Sequence, residues 1–277
     1  MALSWWKQSY SAVARPIPDG ENPNALKLLT LARDLRRRKA RERQGLFAAE
    51  GVRAVEELGR SPLAIRGVLV APQLIDAPRG SALLALLRER SVPITEVSAL
   101  DFASAAETES PQGVLAVAEI PERSLDTLML ATRARLVLLD AVQDPGNVGT
   151  IVRTAAALGA AAVLALPGTV DLWNAKVVRS AMGAGFHVPA FSCTWDDLDT
   201  FRRRQPITLW GADAGGTALE ILEAPARLAL VVGNEGAGLS PESLARVDSL
   251  VSLPIDSAVE SLNVAVATGI LLYQLRS

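Results

Sequence analysis

Three stretches of this chain gather residue types that could do chemistry. In "LLDAVQDPGNVGTIVRTAAALGA", Asn147, Gly149 and Arg153 follow a strand-like run, and Arg153 stands among Val152, Ala155, Ala156 and Ala157. A guanidinium on so apolar a helix must be paired or must line a cavity. "LVVGNEGAGLS" brings Gly233, Asn234, Glu235 and Gly238 together. Glycines at that density either make a tight turn or let backbone approach a ligand closely. The run is neither a Walker loop, since no G-K-[ST] follows, nor G-x-G-x-x-G, so it does not read as a phosphate or dinucleotide cradle. "LPIDSAVESLNVAVATGI" sets Asp256, Ser257, Glu260, Ser261 and Asn263 before a helix that is apolar almost all round. Such a helix belongs in a core. One of Ser261 and Asn263 is enough to cap its first turn, so Glu260, Ser261 and Asn263 together suggest a polar wall around something bound. Asn147 is itself a good N-cap, and a purely structural role stays open for it.

Composition removes several alternatives. The 277 residues hold one cysteine, Cys193, and one histidine, His187, so a disulfide framework, a thiolate zinc cluster and a histidine-rich metal centre are all excluded. No G-x-S-x-G occurs, and a Ser/His/Asp hydrolase would have to use His187. Cys193 and His187 read as buried or incidental residues. The N-terminus, with Lys7 just after Trp5 and Trp6, lacks an apolar core of signal-peptide length. The longest apolar stretch, Val264 to Tyr273, is too short to span a bilayer. The chain reads as soluble and cytoplasmic, with no membrane and no metal. Its net charge of −2 hides an asymmetry, because residues 1–50 carry ten Lys/Arg against five acids. "RDLRRRKARERQG", with Arg36, Arg37, Arg38 and Lys39, concentrates that charge. It is either a solvated helix face or a phosphate-binding patch.

The elements that must position these residues follow from periodicity and punctuation. Residues 1–24 read as a tail, and Asn24 can cap a basic helix from Ala25 to Arg43. "VRAVEELG" is helical, "IRGVLVAP" a strand, "SALLALLRER" a helix, "TEVSAL" a short strand and "GVLAVAEI" a buried strand. These form an α/β unit over residues 25–121, followed by a connector over 122–133. From 134 to 277 the rhythm is strand, loop, helix. "ARLVLLDAV", "AAVLAL", "PITLWGA", "LALVVGN" and "LVSLPI" are strands, "NVGTIVRTAAALG" and "LWNAKVVRSAMG" helices, and the last helix starts near Ser261. Continuous apolar strands alternating with helices imply a parallel sheet covered on both faces. Ligands bind beyond the carboxyl ends of such strands, where all three stretches fall.

In this order the three stretches resemble the signature motifs of the SpoU-type (TrmH-like) RNA 2′-O-ribose methyltransferases of the SPOUT superfamily. N-x-G-x-x-x-R is met by Asn147, Gly149 and Arg153, and G-x-E-x-x-G by Gly233, Glu235 and Gly238. The third motif is met by Pro254, Ser261, Leu262, Asn263, Val264 and Ala267, with Ala265 where the family usually has serine. "VVRSAMGAGFHVP" is similar to a further family stretch, with Arg179 and Met182 to Ala184 in place. "LFAAEGVRAVEEL" and "TESPQGVLAV" look like the family's N-terminal RNA-binding domain of L30e-like fold.

The resemblance implies a C-terminal trefoil-knotted α/β domain behind a smaller L30e-like domain, working as a homodimer. It implies S-adenosylmethionine held largely through backbone at Gly233, Asn234, Glu235, Leu253, Pro254, Ile255, Leu262 and Asn263, with the loop around Gly211 flanking the adenosine. The implied reaction is methylation of a ribose 2′-OH in RNA, 23S rRNA foremost, with tRNA the nearest alternative substrate. By the same likeness Arg153 activates or orients the hydroxyl, Asn147, Glu235, Ser261 and Asn263 shape the wall around it, and Arg179 meets RNA phosphate or the cofactor side. A guanidinium is an awkward base, which favours electrostatic stabilisation of the developing alkoxide. Two other classes are weighed: a non-catalytic RNA-binding or ribosome-assembly factor, against which the retention of Arg153, Glu235, Ser261 and Asn263 argues, and a Rossmann-type oxidoreductase, for which "DPGNVG" replaces the three-glycine fingerprint and no second signal supports NAD.

Overall fold

The computed structural model describes residues 23–276 apart from 78 and 257. Trp5, Trp6, Ser257 and nearly all of the expected tail lie outside the described residues. Two sheets organise the chain. The first has the order β1-β4-β2-β3, from β1 (Leu46–Glu50), β2 (Ile65–Val70), β3 (Ile94–Glu96) and β4 (Val114–Glu119). β4 pairs antiparallel with β1 and β2, while β2 and β3 are parallel. Among the described residues six helices accompany them: α1 (Pro23–Asp34), α2 (Arg38–Gln44), α3 (Val52–Arg60), α4 (Gln73–Asp76), α5 (Gly80–Glu89) and α6 (Ala99–Ala105).

The second sheet is wholly parallel, in the order β10-β8-β9-β5-β6-β7. Its strands are β5 (Ala134–Leu139), β6 (Ala162–Ala165), β7 (Ala190–Ser192), β8 (Thr208–Ala218), β9 (Arg227–Val232) and β10 (Ser249–Ser252). Its helices are α7 (Pro145–Ala157), α8 (Ala175–Ser180), α9 (Trp195–Arg204), α10 (Pro241–Arg246) and α11 (Val264–Leu275). Alternation along β5 explains why that strand is apolar at every position but Arg135. Val137 and Leu139 join the core under α7 and α11, and Leu136 and Leu138 join the opposite core with Trp195, Leu198 and Phe201 of α9. Both faces are covered, as parallel strands require. The chain runs outward through β5, β6 and β7, then restarts on the other side with β8 and β9. The switch point lies between β5 and β9, where a crevice opens at the carboxyl ends.

The two sheets' units touch through an aromatic and an ionic contact. Phe47 of β1 packs on Trp173 and Phe186, with centroids at 4.5 and 5.6 Å. The buried Arg41 donates from Nε and Nη2 to Asp171 Oδ2 at 2.7 and 2.5 Å.

Several expectations need correction. The basic helix expected from Ala25 to Arg43 is two helices, broken at Leu35–Arg37. Leu35 is buried, and Arg41 Nη1 donates to the carbonyls of Leu35 and Arg36 at 2.7 and 2.9 Å, so a side chain satisfies the groups a continuous helix would have paired. The short strand in "TEVSAL" ends at Glu96, and the chain turns into α6 under the Ser98 cap. α11 is not buried all round: Val266, Ile270 and Tyr273 are exposed. Among the described residues no helix is long and apolar enough to cross a membrane.

Candidate active site

The three stretches meet at the carboxyl ends of β5, β9 and β10. α7 begins with Pro145 in its first turn, and its cap is Asp144, whose Oδ1 accepts from the Asn147 amide N at 2.8 Å. The capping role left open for Asn147 therefore belongs to a residue three positions earlier. The Asn147 side chain is free for other work. Its Nδ2 donates to Glu235 Oε1 at 2.9 Å, and its Oδ1 accepts from Asn263 Nδ2 at 3.0 Å. One asparagine thus ties together segments 88 and 116 residues away. Asn263, not Ser261, caps α11, accepting from Ala265 N and Val266 N at 2.9 and 3.3 Å.

Asn234 shapes the second stretch. Its Nδ2 donates to the Ala141 carbonyl at 3.0 Å, and its Oδ1 accepts from Gly236 N and Ala237 N at 2.9 and 3.0 Å. Its backbone also exchanges two 2.9 Å hydrogen bonds with Gly238. That closure presses Gly233 against the returning chain: a Cβ there would lie 2.3 Å from the Gly238 carbonyl atoms.

A cavity of about 550 Å³ opens beside this turn. Gly233, Asn234, Glu235, Leu253, Ile255, Ser261, Leu262 and Asn263 line it; Asn147, Arg153, Arg179, Gly211 and Pro254 are not among its lining residues. Gly211 lies within β8, not in a loop, because the strand runs on to Ala218. The adjoining strand β10 steps from a partner at Gly211 to one at Thr217, so residues 212–216 bulge out. This bulge carries Asp213 into the lining, a residue that sequence reasoning passed over. The glycine pair Gly215 and Gly216 inside a strand was its available signal. Three carboxylates, Asp213, Glu235 and Glu260, line the cavity, and no Lys, Arg or His does among the described residues.

Partial burial pushes the Glu235 carboxyl up. Hydrogen bonds from the Asn147 side chain and from the backbone of Glu235, Gln143 and Asp144 outweigh it, and the net direction is downward. A depressed carboxylate contributes stability that is whole above its unfolded value and is lost as pH falls through the lowered one. The stability gap between the parent and Glu235→Gln should therefore be largest near neutrality and close on acidification below about pH 4. Urea midpoints of both proteins across that range check this; a gap that widens in acid contradicts it.

Arg153 lies six residues beyond Asn147 on α7 and is exposed; of the two expectations drawn from its apolar neighbours, it does not line the cavity but does have a partner. Its Nη1 donates to Met182 Sδ. Arg179 is half-buried, and its Nη1 has no hydrogen-bond partner among the described residues. In the basic run, Arg36 holds the carbonyls of Ser104 and Ala106, Arg37 pairs with Asp34, and Arg38 with Glu42, while Lys39 is exposed. Burial, with Asp197 adding to it, pushes the Cys193 thiol up to about 12, so it is no nucleophile. His187 sits 3.6 Å from Glu57 at the contact between the two units. Among the described residues no group of His, Cys, Asp and Glu could hold a metal ion.

Residues 134–273 match the SpoU rRNA Methylase family. The chain belongs to that family. In this SpoU family member residues 29–116 also match the MRM3-like substrate binding domain. Over 243 residues it is 37% identical to the 23S rRNA (guanosine(2553)-2′-O)-methyltransferase RlmP of Bacillus subtilis, covering 87% of this chain and 93% of that one. Among solved structures it is similar to an AdoMet-bound rRNA methyltransferase from Sinorhizobium meliloti, with TM-score 0.78, 27% identity and coverage of 90% and 94%. It is likewise similar to the SpoU methyltransferase AviRb of Streptomyces viridochromogenes in complex with AdoMet, with TM-score 0.79, 28% identity and coverage of 90% and 96%. The Asn147, Glu235 and Asn263 cluster is thus the meeting point of the three SpoU motifs.

Proposed function

We propose that this SpoU family member transfers a methyl group from S-adenosylmethionine to a ribose 2′-OH of RNA, with 23S rRNA as substrate. The observation that carries the reading is the Asn147 bridge, which draws Glu235 and Asn263 to one point beside an acidic cavity. The cavity suits the cofactor: about 550 Å³ is within the range of small-molecule sites. Its carboxylate lining without opposing cations favours a sulfonium, and the bare backbone at Gly233 admits close approach. Gly233 to Glu235, Leu253, Ile255, Leu262 and Asn263 would hold it, with Pro254 and Gly211 supporting from behind. Bound there, S-adenosylmethionine supplies an electrophilic methyl group.

The chain's own residues then have a positioning task. Asn147, Glu235, Ser261 and Asn263 fix the wall against which the ribose rests. The guanidinium of Arg153 stabilises negative charge growing on the 2′-oxygen, and the hydroxyl proton leaves to solvent. Arg179, which is half-buried, would receive an RNA phosphate through the accessible part of its side chain.

Within this reading residues 25–121 bind substrate, 122–133 link, and 134–277 form the knotted methyltransferase domain of a cytoplasmic enzyme. A homodimer is supported by α11, where Val266, Ile270 and Tyr273 form an exposed apolar stripe at helical spacing. A second copy covering it would sit beside the cavity mouth, where Ile255 and Val259 are also exposed.

The deciding experiment supplies labelled S-adenosylmethionine with 23S rRNA, 16S rRNA or bulk tRNA, then digests the product with alkali. A methylated 2′-OH cannot attack the neighbouring phosphate, so label should stay in alkali-stable dinucleotides from 23S rRNA. Label in mononucleotides would mean base methylation, and label in tRNA alone would overturn the substrate. Cofactor binding without transfer to any RNA would favour an assembly factor.

The basic run adds a further expectation. Arg37→Gln, Arg38→Gln and Lys39→Gln together should weaken RNA binding and flatten its salt dependence. The log–log slope should fall by about 0.7 to 0.9 for each phosphate left without its cation. Arg36 is spared because it holds the Ser104 and Ala106 carbonyls. Binding at several salt concentrations checks this; an unchanged slope returns the run to solvated surface.

A further inference from the structure

Arg153 is exposed, yet it is not loose: its Nη1 donates to the thioether of Met182. Met182 follows α8 in an unusual backbone conformation. Its φ is 50°, and Gly183 beside it has φ 86°. A non-glycine residue rarely adopts such an angle unless its surroundings hold it there.

The surroundings come from both units of the chain. On one side α8 is pressed onto α7: a Cβ on Gly149 would lie 2.5 Å from Ser180 Cβ and 2.7 Å from the Val177 carbonyl oxygen. The close approach fixes the distance between the helix carrying Arg153 and the turn carrying Met182. On the other side the smaller unit reaches the same turn. A Cβ on Gly183 would lie 2.3 Å from Glu57 Cβ on α3, and Glu57 also faces His187 at 3.6 Å. The segment leading into α8 is tied to the smaller unit by Arg41, which binds Asp171; Asp171 Oδ1 in turn accepts from Trp173 N at 3.0 Å. The route from substrate-binding domain to Arg153 therefore consists of direct contacts, and Met182 is its last member.

We propose that Met182 is a positioning residue for Arg153, seated by the docking of α3 on Gly183, so that the guanidinium is correctly placed only while the smaller domain is in place. The inference rests on the methyltransferase reading for the role of Arg153, but the contact itself does not. A thioether is a soft, weak acceptor. It can orient a guanidinium without neutralising it, which a carboxylate at the same place would do.

The test has a structural and a kinetic arm, both on the full chain. The sequence contains three methionines, so carbon-13 labelled methionine methyls give a readable spectrum. Arg153→Ala should shift the Met182 signal and leave that of Met129 in place, whether or not any RNA is methylated. A Met182 signal that stays put overturns the proposal. In the kinetic arm Met182→Leu keeps the bulk and removes the acceptor. It should lower kcat about tenfold at saturating RNA with S-adenosylmethionine affinity unchanged, and Met182→Gln, which restores an acceptor oxygen, should recover most of the loss. Parent-like kcat in Met182→Leu, or equal impairment of Leu and Gln, overturns the proposal. Gly183→Ala, which pushes on Glu57, should reproduce the Met182 signal shift and the kcat loss. An unmoved signal there refutes the docking half. Failure of the parent protein to methylate RNA would count against the methyltransferase reading alone, because the spectrum judges the contact independently.

Discussion

Arg153→Ala should lower the rate of RNA methylation by a factor of about a hundred to a thousand, the scale seen when one donor to a developing oxyanion is removed. S-adenosylmethionine affinity should change little. The separation follows from geometry: Arg153 is exposed on α7 and touches Met182, and it is not among the residues lining the cavity. On the proposed mechanism its charge acts where the 2′-oxygen would arrive, away from the cavity proposed for the cofactor. Removing an interaction made only as charge develops lowers kcat and kcat/KM together. Arg153→Lys sharpens the argument, because it keeps the charge and loses the planar fork. A lysine variant close to alanine would mean that orientation dominates, and one close to the parent would mean that bare charge suffices. If Arg153→Ala turned over normally, or lost cofactor binding in step with activity, the assigned role would be wrong.

How much of this was legible in the sequence depends on whether neighbours in the chain or neighbours in space decide. The parallel sheet was legible because β5, β6 and β9 are apolar with little interruption, and only a strand buried on both faces needs that. The three motifs were legible as a set, although no spacing rule says that Asn147 would bridge Glu235 and Asn263. That bridge exists because Asp144 takes over the cap, and "DPGN" offers two cap residues of nearly equal quality. The break at Leu35–Arg37 was hidden for a similar reason. Its carbonyls are satisfied by Arg41, whose other partner, Asp171, lies 130 residues away. The apolar neighbours of Arg153 called for a partner or a cavity around it, but Val152 and Ala155 turn into the core while the guanidinium stays exposed. The same logic reversed the reading of α11: its composition is that of a core helix, yet Val266, Ile270 and Tyr273 leave one stripe of it exposed.

Gly233→Ala should be the counterpart of Arg153→Ala, abolishing cofactor binding instead of chemistry. The added Cβ would lie 2.3 Å from the Gly238 carbonyl carbon and oxygen and 2.5 Å from Leu239 N, all backbone atoms that cannot rotate away. To relieve the clash the Asn234–Gly238 closure must open. Opening it disturbs Asn234, which holds the turn through Ala141, Gly236 and Ala237. S-adenosylmethionine affinity should then fall at least about a hundredfold, corresponding to about 2.7 kcal/mol. Two neighbours serve as graded controls. Gly238 has φ 69° but open space around its Cβ position, so Gly238→Ala meets only the left-handed backbone penalty of about 1 to 2 kcal/mol. Gly236 has a permissive backbone, and its nearest neighbour would be Asn234 Oδ1 at 3.7 Å, so Gly236→Ala should bind like the parent. Calorimetric titration of the three variants with S-adenosylmethionine separates the causes. The order Gly233 worst, Gly238 intermediate, Gly236 neutral follows from collision and backbone strain alone. If Gly236→Ala, which also faces the cavity, were as damaging as Gly233→Ala, the added methyl would be meeting the cofactor itself, and backbone collision would not be the cause of the loss.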